Sequence, residues 1–325
     1  MQPIKVDVAS SDDLAALYVR YIELVDSGRE ATLDIALAPG VYGVASIGPI
    51  QLDLGGNPAP KDPRIDVILR GASADAPAVL RDLGMLVNAR SLRLENLILT
   101  GRNQGLLEAR VARSFEMEGC VVAGNTWGGP WGGALMRVSG VHGQPAYAVE
   151  IAETWFVRNG QQSEAALLAV GPATGSFVER VELRGVTFLD NGTHGDLVVH
   201  EARAIRGDGV LAVKAHAGGA AVLRYARADQ VVFDRSTFVV DDPAAIAVED
   251  TRGWSSGMEL TRSKVYVTGG SRQLPGNVRG HAEILDGSRL PPRGAALDEL
   301  AAAIASRIPD PESTRGRLRD ALGLH

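Results

Sequence analysis

The chain has 325 residues, of which 45% are hydrophobic and 22% charged, and its formal net charge is −6 at pH 7. This composition is typical of a folded protein and excludes a disordered or collagen-like chain. The acidic balance argues against a basic face for nucleic acid, and no apolar run reaches the ~20 residues of a membrane helix. A single cysteine, Cys120, excludes an internal disulfide framework and a zinc site built from cysteines.

The first predicted element is an amphipathic helix that follows the potential caps Ser10 and Ser11. Its apolar residues fall at helical spacing: Leu14, Leu17, Tyr18, Tyr21, Ile22 and Val25. Residues 1–15 carry three aspartates and no apolar core, so we predict no secretory signal. The expected location is therefore the cytoplasm, or outside the cell if a signal was removed. Strands are then predicted at residues 33–38, 66–71 and 78–81.

Six segments of twelve residues align without gaps along the rest of the chain, and we number their places one to twelve. They begin at Ser91, Ser114, Ala148, Arg180, Gln230 and Gly257. Places two, four and nine are apolar in every segment, whereas place three is usually charged. This two-residue alternation predicts strands with one face inside the protein.

Place twelve of the repeat predicts a tight turn. It is occupied by Asn125, Asn159, Asn191 and Asp241, with Asn103 one residue late in the first repeat. Asn and Asp tolerate left-handed backbone and bond to neighbouring backbone groups. A third apolar strand is predicted after each turn, at residues 105–111, 134–138, 165–170, 196–200, 244–248 and 281–285. The 50-residue interval from Arg180 to Gln230 leaves open an extra repeat, with residues 210–215 and 221–225 as strands.

Three strands per repeat, an asparagine corner and unequal loops predict an all-β fold, a parallel β-helix solenoid. We assign residues 1–33 to an N-terminal capping helix, 34–288 to the β-helix and 289–325 to a helical C-terminal tail. Apolar residues at helical spacing define that tail: Leu297, Leu300, Ala301 and Ile304. The tail could cap the solenoid, pack along its side, where Trp155 faces outward, or bind a partner; we expect capping.

The repeats, together with the opening strand and Pro39-Gly40-Val41-Tyr42, resemble the right-handed parallel β-helix superfamily that includes pectate lyases and polygalacturonases. The resemblance covers residues 34–287. It implies a right-handed fold and a substrate cleft on the outward face of the first strand of each repeat. The polygalacturonase combination of Asp-Asp, Gly-His-Gly and Arg-Ile-Lys is incomplete here, and the Arg-x-Pro-x-x-Arg spacing of pectate lyases does not occur.

The outward places of that first strand carry a row of carboxylates. Place three holds Glu116, Glu150 and Glu182 in successive repeats, and Glu118 lies at place five. Neighbouring strands are ~4.8 Å apart, so these like charges need an offset. Four are available: raised pKa values, the cations Arg180 and Arg184, a bound Ca²⁺, or solvent.

These carboxylates predict general acid–base chemistry on a saccharide. Their spacing suits both retaining (~5 Å) and inverting (~6.5–9.5 Å) glycosidases, and an elimination would use Ca²⁺ with a basic group. We predict Glu116, Glu150, Glu182 and Arg184 as catalytic residues, Arg180, Trp254, His142 and Asp234 as substrate-binding residues, and Glu118 as a metal ligand. Trp254 would stack on a sugar ring.

Three functions follow from these patterns. The first is a carbohydrate-active enzyme, a lyase, hydrolase or epimerase acting on a polysaccharide or oligosaccharide. The second is a non-catalytic β-helix that binds a glycan or a protein partner, with the carboxylates preventing aggregation. The third is an intracellular biosynthetic enzyme acting on a small molecule. No nucleic acid or membrane is expected as a partner, and the oligomeric state stays open.

Overall fold

The computed structural model describes residues 3–45, 48–49, 51–54, 63–101, 105–126, 133–144, 146–160, 163–171, 177–214, 221–249, 257–269, 273–290 and 295–324. The described chain is mostly strand, with a large parallel sheet and three helices, one near the N-terminus and two at the C-terminus. The helices are α1 (Ser11–Asp26), α2 (Ala295–Ser306) and α3 (Pro311–Ala321). None of these described helices combines the length and hydropathy that a membrane span requires.

The strands of the large sheet are β1 (Ile4–Val8), β2 (Ala31–Leu37), β3 (Gly40–Tyr42), β6 (Gln51–Leu54), β7 (Ile65–Gly71), β8 (Ala78–Arg81), β9 (Gly84–Glu95), β10 (Leu97–Thr100), β11 (Leu107–Glu118), β12 (Val121–Ala123), β13 (Ala134–Gly140), β14 (Tyr147–Ala152), β15 (Trp155–Val157), β16 (Ser163–Gly171), β17 (Val178–Arg184), β18 (Thr187–Leu189), β19 (Thr193–Asp208), β20 (Leu211–Val213), β21 (Ala221–Asp234), β22 (Thr237–Val240), β23 (Ala247–Glu249), β24 (Met258–Val267) and β25 (Val278–Asp286). A separate antiparallel pair joins β4 (Val44–Ala45) and β5 (Gly48–Pro49).

The parallel pairings form three columns of strands. Column one consists of β1, β2, β7, β14, β17, the second halves of β9, β11, β19 and β21, and the first parts of β24 and β25. Column two consists of β3, β8, β10, β12, β15, β18, β20, β22 and the second parts of β24 and β25. Column three consists of β6, β13, β16, β23 and the first halves of β9, β11, β19 and β21. This architecture is compatible with the β-helix expected from the sequence.

The register confirms the alignment of the repeats. Place three of one repeat lies beside place three of the next, so that Arg93, Glu116, Glu150 and Glu182 are successive partners. The apolar places two, four and nine are buried throughout, and they pack into one core cluster with the opening strands. The alternation in the sequence therefore identifies the inner face correctly.

The predicted asparagine turn is present at three successive repeats. Asn125, Asn159 and Asn191 are buried, and each carboxamide oxygen after the first accepts from the backbone N–H and the Nδ2 of the preceding asparagine, at 3.0–3.2 Å. Their Nδ2 groups also donate to main-chain carbonyls inside the turn, which satisfies buried polar atoms. Asn103 lies outside the described residues.

The interval between Arg180 and Gln230 does contain an extra repeat. Its strands are the second half of β19, then β20, then the first half of β21, one in each column. Gly207 stands at place four, where the other repeats have a large apolar residue, and the Phe233 ring fills the space. A Cβ built at Gly207 would lie 2.3 Å from Cδ1 of Phe233.

Helix α1 begins at the N-cap Ser10, whose side chain accepts from the backbone N–H of Asp13. Its buried residues Leu14, Leu17 and Tyr21 belong to the same core cluster as the strands. The Tyr21 hydroxyl donates to the carbonyl of Asn88. Strand β1, which the sequence analysis did not predict, precedes this helix and pairs with β2. The domain boundaries at residues 33 and 288 stay predictions.

The C-terminal tail packs along the outer face of column two, so the expectation that it caps an end is wrong. The apolar outward residues of that column form a second cluster with the tail: Ile98, Val121, Trp155, Val157, Leu189, Leu211, Val213, Val239 and Tyr266 against Leu300, Ala301, Ile304, Ile308, Leu318, Leu322 and Leu324. Trp155 contacts the tail as expected. Residues 281–285 pair with β24 in column two rather than forming a third strand, which corrects that prediction.

Candidate functional site

The outward face of column one carries rows of charged side chains at places three and five. Because successive repeats stay in register there, place three reads Arg93, Glu116, Glu150, Glu182, Arg206, Val232 and Glu259 along the column. Place five reads Glu95, Glu118, Ala152, Arg184, Asp208, Asp234 and Thr261. The predicted carboxylate row is therefore present, with an arginine at each end of its three glutamates.

Arginine side chains offset the charge of Glu150 and Glu182. Arg180 reaches Glu150 Oε1 with its Nη2 at 2.5 Å and Glu182 Oε1 with its Nε at 3.4 Å. Arg184 Nη2 lies 3.8 Å from Glu150 Oε2. Of the four offsets considered from the sequence, the cations are the one that these distances support. Glu150 and Glu182 are each about three-quarters buried, at 25% and 26% exposure of the side chain.

Glu116 and Glu118 are paired with Arg93 at the other end of the row. Arg93 Nη1 lies 3.5 Å from Glu116 Oε2, and Arg93 Nη2 donates to Glu118 Oε2 at 2.8 Å. Among the described residues no group of three or more His, Cys, Asp or Glu side chains could hold a metal ion. A Ca²⁺ site needs several converging oxygen ligands, and the role of Glu118 as a metal ligand stays a prediction.

A groove of about 330 Å³ lies further along the same face. Its lining comes from three neighbouring repeats: Glu182, Leu183, Arg184, Arg206, Gly207, Asp208, Gln230, Val232 and Asp234. Val232 is the one apolar residue in the place-three row from Arg93 to Glu259. The groove therefore combines an apolar patch with charged groups on either side, and its volume is at the lower end of ligand sites.

The two aspartates of the groove are each held by an arginine from a corner of the chain. Arg235 Nε donates to Asp208 Oδ1 at 2.8 Å, and Arg262 Nε donates to Asp234 Oδ1 at 2.8 Å. The hydrogen bond from Arg262, with a further one from the Thr261 hydroxyl, lowers the pKa of Asp234 below its usual value of 3.8. Asp234 therefore stays ionised at neutral pH.

Arg206 differs from the other arginines of this face. Its Nη2 donates to Gln230 Oε1 at 3.1 Å, and within the described part of the chain it has no carboxylate partner. Its side chain is exposed at the groove. An anionic group of a ligand can pair with this guanidinium without displacing an existing ion pair.

The structure brings together some of the predicted site residues. Glu182, Arg184 and Asp234 line the groove, and Arg180 and Glu150 are linked to them by ion pairs. Glu116 and Glu118 do not line it, and His142 lies in the exposed turn between β13 and β14. Trp254 lies outside the described residues. These roles stay predictions.

The predicted site residues do not include the other lining residues, among them Arg206, Asp208, Gln230 and Val232. Arg206 and Asp208 belong to the extra repeat, which lacks the apolar residue at place four. The available signal was the 50-residue interval, since placing a repeat there puts Arg206 beside Glu182 and Asp208 beside Arg184.

A buried ion pair lies away from this groove, beside the end of the asparagine row. Lys214 Nζ donates to Asp196 Oδ1 at 2.7 Å, and the Thr193 hydroxyl donates to the same oxygen at 3.0 Å. Burial raises the pKa of Asp196, and the charge of Lys214 acts in the opposite direction. The pair connects the extra repeat to the preceding turn.

Comparison of the chain with protein-family models, with curated proteins and with solved structures gives no match.

Proposed function

We propose that the chain is a right-handed parallel β-helix that binds an oligosaccharide or polysaccharide segment in the groove of column one. The observation that carries this proposal is the composition of the groove, where apolar Val232 lies among arginine, carboxylate and amide side chains. Sugar rings offer an apolar face of C–H groups and a rim of hydroxyls, which matches such a surface.

The polar groups of the groove suit the substituents of a sugar. Gln230 and the carboxylates of Glu182, Asp208 and Asp234 can accept hydrogen bonds from hydroxyl groups. Arg206 provides a cation with no carboxylate partner among the described residues, and it would pair with an acidic substituent. The proposed ligand is therefore a saccharide that carries at least one anionic group.

Binding explains the glutamate row better than catalysis does. Glu116, Glu150 and Glu182 each have an arginine within 3.5 Å of a carboxylate oxygen. Each of these carboxylates is therefore already bonded to a cation of the protein, as in a row that organises the face rather than one that acts on a substrate. In this proposal the row positions Arg180 and Arg184 at the side of the groove and keeps the face soluble.

A carbohydrate-active enzyme is the second candidate, and one observation favours it. Asp208 and Asp234 are register partners on neighbouring strands, so their backbones lie ~4.8 Å apart beside the groove. Two carboxylates beside one cleft are the machinery of many glycosidases. The ionised Asp234 would suit the role of nucleophile or base, in place of the glutamates expected from the sequence.

The binding proposal is tested by calorimetric titration with a trimer of galacturonate and with a neutral trimer of glucose. We expect the wild-type protein to bind the acidic trimer more tightly. Arg206→Gln should weaken that binding by about ten-fold, because a charge-assisted contact is lost. The control is Arg203→Gln, an exposed arginine of the same strand that bonds to Glu179 outside the groove.

Equal affinities of the two variants for the acidic trimer would contradict the assignment of Arg206. Chromatography of the products after long incubation separates the two candidates. If the wild-type protein shortens either saccharide and Asp234→Asn does not, the enzyme is favoured. Intact saccharides after binding favour a binding protein.

A further inference from the structure

The C-terminal tail touches the molecule beside the proposed groove, at the corner between columns one and two. This corner is place six of the repeat, and from Asn96 to Arg235 each backbone N–H there donates to the place-five carbonyl of the next repeat. Examples are Glu153 to Arg184 at 2.9 Å, Gly185 to Asp208 at 2.8 Å and Gly209 to Asp234 at 3.0 Å. The acceptors are the residues that form one side of the groove.

Arg315 of α3 binds to two residues whose backbone N–H groups belong to this row. Its Nη2 donates to the main-chain carbonyl of Gly185 and to the carboxylate of Glu153. Its guanidinium carbon also lies 5.8 Å from the centre of the Trp155 ring, and the side chain is 17% exposed. One arginine of the tail thus joins two successive corners, the residues that directly follow Ala152 and Arg184.

Gly185 leaves room for this contact. A Cβ at Gly185 would lie 2.5 Å from Nη2 of Arg315 and 2.4 Å from Oε1 of Glu153, so a larger residue would displace the arginine. Gly209, at the same place of the next repeat, has no atom within 4 Å of such a Cβ. The space that a side chain at residue 185 would need is therefore occupied by Arg315 and Glu153.

We propose that Arg315 is a positioning residue. By bonding to Glu153 and Gly185, it lets the docked tail hold in place the side of the groove that carries Arg184 and Asp208. This inference rests on the proposed function, since it assigns the tail a part in saccharide affinity. By reciprocity, a ligand that binds the ordered groove also strengthens the docking of the tail. The tail and the groove are then coupled across one corner.

Amide hydrogen exchange tests the contact without any ligand. In Arg315→Gln we expect the amides of Glu153 and Gly185 to exchange about ten-fold faster, because their corner opens more often. The corner amides of Asn96 and Arg235, which donate to Glu118 and Thr261, should be unchanged. The control is Asp298→Asn, which removes a different ion pair of the tail, that with Arg158.

Affinity for the galacturonate trimer is measured on the same proteins. The proposal predicts a loss of several-fold in Arg315→Gln and no change in Asp298→Asn. The proposal is overturned if exchange at Gly185 is unchanged in Arg315→Gln, or if it is accelerated equally in Asp298→Asn. It is also overturned if Arg315→Gln exchanges faster while its affinity for the trimer is unaltered. Exchange within α2 and α3 shows whether the tail is still docked. If the wild-type protein binds neither trimer, the proposed function fails, and exchange alone decides whether Arg315 holds the corner.

Discussion

Single residues at place six turn the chain from column one into column two. Their backbone is left-handed, with φ between 47° and 63°, in each described repeat: Asn96, Gly119, Glu153, Gly185, Gly209, Arg235 and Arg262. This conformation costs a residue with a Cβ roughly 1–2 kcal/mol. Arginine or glutamate nevertheless occupies three of these corners, Glu153, Arg235 and Arg262, where the side chain bonds to a residue of the groove or the tail.

Gly209 isolates the cost of that conformation, because a Cβ there meets no other atom within 4 Å. We expect Gly209→Ala to lower the free energy of unfolding by about 1 kcal/mol. The control, Gly316→Ala, lies inside α3 and also meets nothing within 4 Å. It should instead raise the free energy of unfolding by up to about 1 kcal/mol. Urea unfolding measures both, and changes of the same sign would contradict the argument.

Asn159 lies in the middle of the buried asparagine row, and its side chain bonds in both directions. It donates to Val122 O and Asn191 Oδ1 and accepts from Asn125. We expect Asn159→Ala to cost about 2–4 kcal/mol in unfolding experiments, because buried partners lose their bonds. Asn277→Ala, which loses one 3.2 Å bond at a partly buried site, should cost less than about 1 kcal/mol. If the two variants lose similar free energies of unfolding, the asparagine row does not contribute more to stability than an ordinary hydrogen bond.

Asp234 makes the stability of the protein depend on pH in the acidic range. Its pKa is below 3.8 in the folded chain because Arg262 and Thr261 bond to the carboxylate. Its contribution is therefore complete above the unfolded value and is lost as the pH falls through the lower folded value. Below about pH 4, the melting temperature of the wild-type protein should fall more steeply than that of Asp234→Asn. Asp75→Asn, at an exposed loop position, should follow the wild type; parallel curves for all three proteins would refute this.

At the scale of elements, the tail gains its stability from the apolar outer face of column two. Leu318 of α3 is fully buried in the cluster that contains Trp155 and Leu189. We expect Leu318→Ala to cost about 2–3 kcal/mol, because a buried leucine leaves a cavity. Val19→Ala, on the exposed side of α1, should cost less than about 0.5 kcal/mol. Thermal unfolding compares them, and equal small effects would mean that the tail is weakly docked.

The position of the tail could be only partly predicted from the sequence. Its helical stripe is visible, and so is the outward Trp155, but neither shows which surface the stripe covers. The decisive feature is the outer face of column two, which becomes continuous only when Val121, Trp155 and Leu189 are placed on successive strands. The tail could cover either the end of the solenoid or an apolar side, and the local sequence does not show which of the two surfaces it covers.

At the scale of the whole molecule, the repeat pattern predicts most of the strands and their register. Every inward place from Leu92 to Val265 is buried as the alternation requires. The extra repeat departs from the pattern because it has Gly207 at an inward place. The Phe233 ring of the next repeat fills the space that a side chain would occupy there. The groove depends on that repeat, which is why the predicted site residues include its lining residues Glu182, Arg184 and Asp234 but not Arg206 and Asp208.

A crystal structure of the protein with the galacturonate trimer would show directly whether the groove binds an acidic saccharide. We expect a right-handed parallel β-helix with the saccharide lying over Val232 and an acidic group bonded to Arg206. We also expect that Arg315 keeps its bonds to Gly185 and Glu153 in the complex. A saccharide bound on another face, or a sheet that does not follow the three columns, would contradict the account.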